Sequence, residues 1–240
     1  MRIVAIIQAR MGSTRLPGKI LKLLAGKPVL QHVVERTKAS GAFDEVVVAT
    51  TDRNIDNPAA SAAATFGAVV VRGDENDVLS RYELAAKTTA ADAIMRITAD
   101  CPLIDPDVLQ QMVGRFRTGD ADLVSNCVRR TFPRGLDAEL FSRAALDIMA
   151  MEATASSERE HVTPFLYANP DRFRIVSHEG AKDYSDYRLT LDTPEDFDLL
   201  ERLFTATPDP RMLRLPQLIA LFETHPDWRS INAHIEQKKI

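Results

Sequence analysis

The stretch IVAIIQARMGSTRLPGK, residues 3–19, determines how the rest of the chain is interpreted. Its first five residues form an unbroken apolar run rich in β-branched side chains, which is typical of a buried strand. The residues after this run are polar, contain glycine, and carry three cations, Arg10, Arg15 and Lys19. The stretch therefore predicts a strand at 3–7 followed by a charged loop.

The same order of strand, loop and helix repeats through the first half of the chain. Apolar runs predict further strands at 45–50, 68–71 and 93–97, and helical periodicity predicts helices at Val29–Ala39, 58–66 and Val78–Thr88. Short, continuous apolar strands separated by helices are typical of a parallel sheet covered on both faces. Right-handed crossovers place the loop after each strand at one edge of that sheet, where α/β proteins bind ligands. The predicted class is α/β.

The pattern of the second half is looser. Strands are predicted at 121–125, 137–141, 172–177 and 187–191, and helices at 105–117, 144–151, 215–222 and 228–238. Asp105 is placed to cap the first of these helices, and Thr193 with Asp196 forms a capping-box-like pattern for a helix after Asp192. We expect a single domain over 1–240, with an insertion for substrate binding or dimerisation around 128–186.

Composition excludes several classes of protein. The chain has 240 residues and a net charge of −4, so it lacks the overall basic footprint of a nucleic-acid binder. No apolar stretch approaches the ~20 residues of a membrane-spanning helix. Cys101 and Cys127 have no CxxC spacing and no histidine cluster beside them, so we do not expect a structural zinc site. We expect a cytoplasmic protein with no nucleic-acid or membrane partner.

The loop after the first strand has the chemistry of a phosphate site. Glycine lets backbone N–H groups approach an anion, hydroxyls donate further hydrogen bonds, and cations neutralise phosphate charge. The loop fits neither common phosphate motif: Gly12 and Gly18 are one residue too far apart for GxxxxGK(S/T), Ile20 replaces the hydroxyl, and GxGxxG is absent. The alternative is a basic, solvated surface loop.

Two aspartates follow predicted strands. Asp100 comes after the strand at 93–97, and Asp192 comes after the strand at 187–191. Carboxylates at the ligand-binding edge of a sheet can hold Mg²⁺, which offsets charge on phosphate oxygens. The alternatives are a turn cap for Asp100 and, for Asp192, a carboxylate favoured by the dipole of the following helix. Each aspartate is a candidate ligand for Mg²⁺.

These segments resemble a known family. RMGSTRLPGK, residues 10–19, is similar to the signature loop of sugar nucleotidyltransferases, especially the cytidylyltransferases that make CMP-activated acidic sugars. The sequence YRLTLDTPEDF, residues 187–197, resembles the closing motif of that family. The likeness is strongest to the spore coat polysaccharide biosynthesis cytidylyltransferases and weaker to the CMP-ketodeoxyoctonate and CMP-sialic acid synthetases. It implies a three-layer α/β/α, Rossmann-like fold of the nucleotide-diphospho-sugar transferase type.

The resemblance also implies an activity and a set of site residues. The implied reaction transfers CMP from CTP to an acidic sugar with release of pyrophosphate, using Mg²⁺, in a homodimer of the surface-polysaccharide pathway. The implied catalytic residues are Arg10, Arg15, Lys19 and Asp100, and the implied metal ligands are Asp100 and Asp192. Further contacts to the nucleotide are implied for Ala9, Met11, Gly12, Ser13, Thr14, Ser80, Arg81 and Thr98. The implied sugar-binding residues are Arg134, Asp137, Glu139, Glu160, His161 and Arg188.

Two other functions are compatible with such a fold. A glycosyltransferase that consumes a nucleotide sugar is expected to carry an Asp-x-Asp pair at a strand end, but the pairs at 105–107 and 120–122 open a helix and a strand. A non-catalytic nucleotide-binding protein is the second alternative.

Thr98-Ala99-Asp100 departs from the Gln-Gly-Asp of the ketodeoxyoctonate enzymes, which puts their sugar in doubt. The sequence does not identify the sugar, nor does it separate Mg²⁺ from Mn²⁺.

Overall fold

The central sheet predicted from the first half of the chain is present in the structure, a computed structural model that describes residues 1–237. The strands are β1 Ile3–Gln8, β2 Leu23–Leu24, β3 Lys27–Pro28, β4 Glu45–Thr51, β5 Val69–Gly73, β6 Ala93–Thr98, β7 Leu123–Ser125, β8 Glu139–Ser142 and β9 Ile175–Ser177. The helices are α1 Val29–Ala39, α2 Asn57–Thr65, α3 Val78–Thr88, α4 Pro106–Phe116, α5 Arg143–Glu152, α6 Ser156–His161, α7 Pro164–Ala168, α8 Pro194–Thr205 and α9 Leu215–Thr224.

The main sheet has seven strands in the order β5-β4-β1-β6-β8-β7-β9. Its pairs are parallel except where β8 runs antiparallel to β6 and β7. Gln8 at the end of β1 pairs with Ala49 of β4 and with Thr98 of β6. The chain segments that follow β1 and β6 therefore leave the sheet side by side, which brings the first loop next to Asp100.

Two apolar layers cover the sheet. Alternate residues of β1 belong to opposite layers: Ile3 and Ile7 pack on one face, and Val4 and Ile6 pack on the other. Helices α1, α2, α4, α8 and α9 cover the first face, and α3, α5 and α7 cover the second. Because β1 is buried on both sides, its sequence is continuously apolar. The α/β fold with three layers and a mostly parallel sheet is confirmed.

Some predicted elements change in the structure. The strands expected at 121–125, 137–141 and 172–177 are shorter and form β7, β8 and β9. Segments 139–142 and 175–177 of the expected insertion thus belong to the main sheet; the division into one domain with an insertion stays a prediction. The sequence did not predict the hairpin of β2 and β3, nor helices α6 and α7.

Two predictions near the end of the chain were wrong. The segment 187–191 is not a strand: it makes one isolated bridge, between Arg134 and Arg188. Leu189 and Leu191 are buried, so the apolar alternation reflects packing without a strand ladder. The helix expected at 228–238 is replaced by a 3₁₀ turn at Pro226–Ser230 and irregular backbone, with residue 238 outside the described residues. The backbone hydrogen bonds of Ile231 and Ile235 reach back only three residues, as in turns.

No helix within residues 1–237 is long and apolar enough to cross a membrane.

Gly135 allows two segments to cross at very short distance. Arg134 N–H donates to Tyr187 O at 3.0 Å, and Leu189 N–H donates to Arg134 O at 2.6 Å. Gly135 has a φ of +100°, and a Cβ placed there would lie 2.5 Å from the carbonyl carbon of Leu189. A side chain would therefore force apart the crossing that fixes the segment leading to Asp192.

We expect Gly135→Ala to destabilise the fold by roughly 2–5 kcal/mol, from the left-handed backbone and the steric overlap together. Urea unfolding followed by circular dichroism measures the change in free energy. Gly114→Ala is the matched control: Gly114 lies in α4, and nothing lies within 4 Å of its added Cβ. That variant is expected to gain about 0.5–1 kcal/mol. Equal stability of the two variants would contradict the crossing as described.

Candidate active site

A cavity of about 920 Å³ opens at the edge where β1 and β6 end. The first loop, the start of α3, the loop after β6 and helix α6 form its walls. Thirteen of the residues predicted for the site line this cavity: Ala9, Arg10, Gly12, Ser13, Thr14, Arg15, Lys19, Arg81, Thr98, Asp100, Glu160, His161 and Asp192. The structure thus gathers residues that lie far apart in sequence at the predicted edge.

Lys19 joins the two predicted metal-binding aspartates. Its Nζ donates hydrogen bonds of 2.8 Å to Asp100 Oδ2, to Asp192 Oδ1 and to Leu191 O. All three donors of the ammonium group are therefore engaged. Burial by itself lowers the pKa of Lys19, but the two carboxylates outweigh it and hold this pKa above its usual value.

The same contact keeps Asp100 ionised. Burial alone raises the pKa of Asp100, but the charge of Lys19 outweighs it and holds this pKa below its usual value. Leu191 N–H donates to Asp100 O at 2.8 Å. This backbone bond holds the segment before α8 against the loop after β6, and so brings the two aspartates to one cation.

Asp192 is bound by three cations. Lys19 contacts Oδ1, while Arg15 lies 3.1 Å and Arg188 lies 3.0 Å from Oδ2. Arg15 is partly exposed and reaches Asp192 from the first loop, whereas Arg188 is buried and reaches it from behind. The carboxylate is therefore compensated from both sides.

Buried contacts hold the first loop in shape. Asp56, which is 1% exposed, accepts a hydrogen bond of 2.5 Å from Met11 N and another from the hydroxyl of Thr51. Gly18 adopts a φ of +66° and donates its N–H to Met11 O at 3.3 Å. Met11 thus acts through its backbone, and its side chain does not line the cavity. No local sequence signal marked Asp56.

Arg81 brings unpaired donors to the cavity wall. The residue is 2% exposed, and its Nε and Nη1 have no hydrogen-bond partner within residues 1–237. Burial lowers the pKa of Arg81. Gly73 makes room for its side chain, because a Cβ there would lie 3.1 Å from Arg81 Cγ. Buried guanidinium donors are costly to leave unbonded, and this guanidinium belongs to a residue of the cavity wall.

Helix α6 forms another wall of the cavity. Arg159 forms an ion pair with Asp77, the capping residue of α3, and so anchors α6 at the cavity. Glu160 and His161 line the cavity from this helix. Ser80 instead belongs to the cap of α3, where its N–H donates to Asp77 Oδ1 at 2.9 Å. It does not line the cavity.

Four predicted sugar-binding residues lie outside this cavity. Glu139 is buried between Arg96 and Tyr167, at 2.5 Å from each, and Asp137 pairs with Arg130. Arg134 and Arg188 line a separate cavity of about 490 Å³. Direct contact of these four residues with a sugar stays a prediction that their placement does not favour.

The cavity also has a polar wall ahead of α3. Four polar residues between β5 and α3 line it, Asp74, Glu75, Asn76 and Asp77. Glu75 approaches Arg10 to 4.0 Å and also pairs with Arg53. The long first contact leaves Arg10 loosely held, with its guanidinium close to solvent.

The residues present suit a divalent cation shared with a ligand. Within residues 1–237 no group of three or more carboxylate, imidazole or thiol side chains converges as a self-sufficient metal site. Asp100 and Asp192, however, each place a carboxylate oxygen 2.8 Å from one cationic atom, Lys19 Nζ. Magnesium in phosphate-binding sites uses one or two carboxylates and takes its other ligands from phosphate and water. The two aspartates fit that role.

The Asp-x-Asp pairs expected of a glycosyltransferase lie elsewhere. Asp105 caps α4 and accepts the N–H of Asp107 at 2.9 Å. Asp120 pairs with Arg115, and Asp122 pairs with Arg174. None of the four lines the cavity. A glycine-containing cationic loop, with two carboxylates at the ligand edge of a parallel sheet, defines a nucleotide-handling α/β protein.

Comparisons with known proteins agree with this class. A family model described as cytidylyltransferase matches residues 4–235. A cytidylyltransferase structure from Leptospira borgpetersenii is 37% identical, with a TM-score of 0.91 and 100% of both chains covered. The spore coat polysaccharide biosynthesis protein SpsF of Bacillus subtilis is 32% identical, over 94% of this chain and 95% of its own length. The structure of a CMP-2-keto-3-deoxy-manno-octonic acid synthetase with CTP shares the fold, at 21% identity and a TM-score of 0.68 over 86% of this chain and 99% of that one.

The chain belongs to the cytidylyltransferase family. It is therefore an enzyme that transfers a cytidylyl group from CTP, which confirms the family predicted from the first loop and the closing motif.

Lys19→Met tests whether the two carboxylates form a cation site. The variant is expected to lose on the order of 3 kcal/mol, because it removes the cation paired with the largely buried Asp100 and one of the three cations bound to Asp192. Mn²⁺ added without nucleotide should restore stability to this variant and change the wild type little, because Lys19 no longer occupies the position between the carboxylates. Thermal unfolding with and without Mn²⁺ measures both effects.

Lys27→Met is the matched control, because Lys27 pairs with Glu35 at 2.7 Å and lines neither cavity. Its stability should not respond to Mn²⁺. An identical response of the wild type and Lys19→Met to Mn²⁺ would show that the carboxylates do not form a cation site.

Proposed function

We propose that the enzyme transfers CMP from CTP to a hydroxyl of an acidic sugar, with release of pyrophosphate, and that it uses Mg²⁺. The observation that supports this most is the Lys19 ammonium bound between Asp100 and Asp192 at one cavity. As part of the same proposal, the enzyme acts in the cytoplasm as a homodimer and supplies an activated sugar for surface polysaccharide.

The first loop is suited to the triphosphate. Arg10 and Arg15 are partly exposed at the cavity, and the backbone N–H groups of Gly12 and Thr14 and the hydroxyl groups of Ser13 and Thr14 lie in the same loop. Triphosphate oxygens accept from such donors, and guanidinium groups bind phosphate in bidentate fashion. Arg15 has to leave Asp192 to do so, which a more strongly charged phosphate favours.

Lys19 serves either the carboxylates or the phosphates. Its three N–H donors are used by Asp100, Leu191 and Asp192, so a bond to phosphate replaces one of these. Once Lys19 and Arg15 have turned to the triphosphate, Asp100 and Asp192 are open to hold Mg²⁺. When bound there, Mg²⁺ offsets the charge that develops on the pyrophosphate leaving group.

The protein supplies positioning and charge to the transfer. A sugar hydroxyl attacks the α-phosphorus in line with the departing pyrophosphate, and the cations of the loop hold the phosphates for that approach. Among residues 1–237 no cysteine lines the cavity, and burial raises the pKa of the nearby Cys101 thiol well above its usual value. The reaction needs no covalent intermediate on the enzyme.

Arg81 is proposed to read the base. Cytosine presents two acceptors on its pairing edge, O2 and N3, whereas uracil presents an N–H at position 3. Buried N–H donors without partners match the cytosine edge and oppose the uracil N–H. A site built to hydrogen-bond one base rejects another that leaves its donors unpaired.

Glu160 and His161 on α6 are proposed to contact the sugar. They line the same cavity as the first loop. An acceptor between the two walls lies next to the α-phosphorus. The sequence Thr98-Ala99-Asp100, in place of the Gln-Gly-Asp of ketodeoxyoctonate enzymes, favours a different acidic sugar.

The direct test measures pyrophosphate release with each nucleoside triphosphate, Mg²⁺ and a panel of sugar acids. We expect release with CTP and one class of sugar acid, and a loss of at least about 10²-fold in kcat for Asp100→Asn, since this change weakens a proposed ligand of the cation that offsets charge on the leaving pyrophosphate. Asp120→Asn is the control, because Asp120 forms an exposed pair with Arg115. Folded, metal-loaded enzyme that releases no pyrophosphate with any acceptor would overturn the proposal.

Arg81→Met tests the reading of the base. One charge-assisted hydrogen bond is worth about 1.5–3 kcal/mol, so the preference for CTP over UTP in kcat/KM should fall roughly 10- to 100-fold. Arg117→Met, an exposed arginine at the end of α4, should leave the preference unchanged. An unchanged ratio in Arg81→Met would exclude Arg81 from base selection.

A further inference from the structure

A buried ion pair lies directly behind Asp192. Arg188 Nε donates to Asp196 Oδ1 at 2.8 Å, and Arg188 Nη2 donates to Asp196 Oδ2 at 2.9 Å. The same Nη2 also donates to Asp192 Oδ2 at 3.0 Å. The side chain of Arg188 is 7% exposed and that of Asp196 is 0% exposed, and neither residue lines the nucleotide cavity. The pair therefore acts on the cavity through Asp192.

Asp196 also fixes the backbone of Asp192. Its Oδ2 accepts the N–H of Asp192 at 2.9 Å and the N–H of Thr193 at 3.0 Å. With Asn232 Nδ2 at 2.9 Å from Oδ1, the carboxylate accepts five N–H donors. A helix cap needs only the backbone bonds. The two hydrogen bonds from Arg188 are not part of the cap. Through Arg188 they connect Asp196 to the side chain of Asp192.

Two residues near the end of the described chain also contact Arg188. Asn232 Nδ2 donates to Arg188 O at 3.0 Å, and Gln237 Oε1 accepts from Arg188 Nη1 at 2.7 Å. Together with Asp192 and Asp196, these contacts leave the guanidinium one orientation. Arg188 is thus fixed, in contrast to Arg15, which reaches the other side of Asp192 from a partly exposed position.

The charges explain why a pair is needed. Arg188 alone would bind Asp192 at full strength and compete with any other cation for the same oxygen. Asp196 offsets the charge of Arg188 and shares its Nη2, so the negative charge of Asp192 stays available to cations on the cavity side. Arg188 then orients the carboxylate without neutralising it.

We propose that Arg188 and Asp196 are positioning residues that hold Asp192 in place for the divalent cation, a role that rests on the proposed function of Asp192 as a metal ligand. Groups that orient metal ligands from outside the first coordination sphere change metal affinity by about 10- to 100-fold when removed. The proposal replaces the sugar-binding role predicted for Arg188.

The test measures Mn²⁺ binding by electron paramagnetic resonance, with a CTP analogue that carries a methylene between the α- and β-phosphorus atoms. Asp196→Asn keeps the shape of the side chain and removes its charge, and should weaken Mn²⁺ binding about 10- to 100-fold. Asp198→Asn, an exposed residue of the same helix paired with Arg202, is the matched control and should bind Mn²⁺ as the wild type does. Nucleotide binding without metal should be unchanged in both.

Arg188→Met/Asp196→Asn distinguishes charge balance from a general structural loss. In Asp196→Asn the charge of Arg188 is no longer balanced and competes with Mn²⁺ for Asp192. The double variant removes that competing charge, so Mn²⁺ binding should recover at least about threefold relative to Asp196→Asn alone. If Asp196→Asn fails to fold, Arg188→Lys serves instead: it keeps the charge, lacks the fork, and should also weaken Mn²⁺ binding.

Wild-type Mn²⁺ affinity in Asp196→Asn, or in Arg188→Lys where Asp196→Asn does not fold, would overturn the proposal. So would a further loss in the double variant, or an equal loss of metal-free nucleotide binding. These outcomes test the positioning role and do not test the transfer reaction. An enzyme that binds Mn²⁺ through Asp192 but releases no pyrophosphate would refute the transfer and leave the positioning role standing.

Discussion

The ammonium group of Lys19 is the interaction on which the candidate site depends. It binds oxygens from two segments, Asp100 after β6 and the pair Leu191 and Asp192 before α8. Burial alone raises the pKa of Asp100, and the charge of Lys19 holds this pKa below its usual value. In the proposed function, nucleotide and metal both act on this balance of charge: the phosphates draw cations away from the carboxylates, and the carboxylates are then open to another cation.

The fold holds the segments that carry Lys19, Asp100 and Asp192 next to each other. The fully buried β1 sets the register that puts the first loop beside the loop after β6, and Asp56 fixes the backbone of the first loop from another strand end. Gly135 lets the chain pass closely over the segment at Leu189, which leads to Asp192. The cation site is thus held by rigid neighbours on each side, while Arg15 at its mouth stays partly exposed.

The sequence predicted most of the sheet and most of the cavity lining, for a physical reason. Strands buried on both faces are continuously apolar, and loops that bind phosphate concentrate glycine and cations, so both leave local signals. Leu189 and Leu191 misled the prediction because packing alone buries them. The role of Asp56 and the fork of Arg188 on Asp196 depend on contacts between separate segments or on side-chain direction. Spacing along the chain does not encode these.

A crystal structure with CTP and Mn²⁺ tests the central claim most directly, because the anomalous signal of manganese locates the cation without reference to activity. We predict one anomalous peak within bonding distance of both Asp100 and Asp192, the triphosphate along the first loop, and Lys19 Nζ moved from the carboxylates to a phosphate oxygen. A nucleotide bound with Lys19 still joining both carboxylates, and manganese elsewhere, would contradict the account.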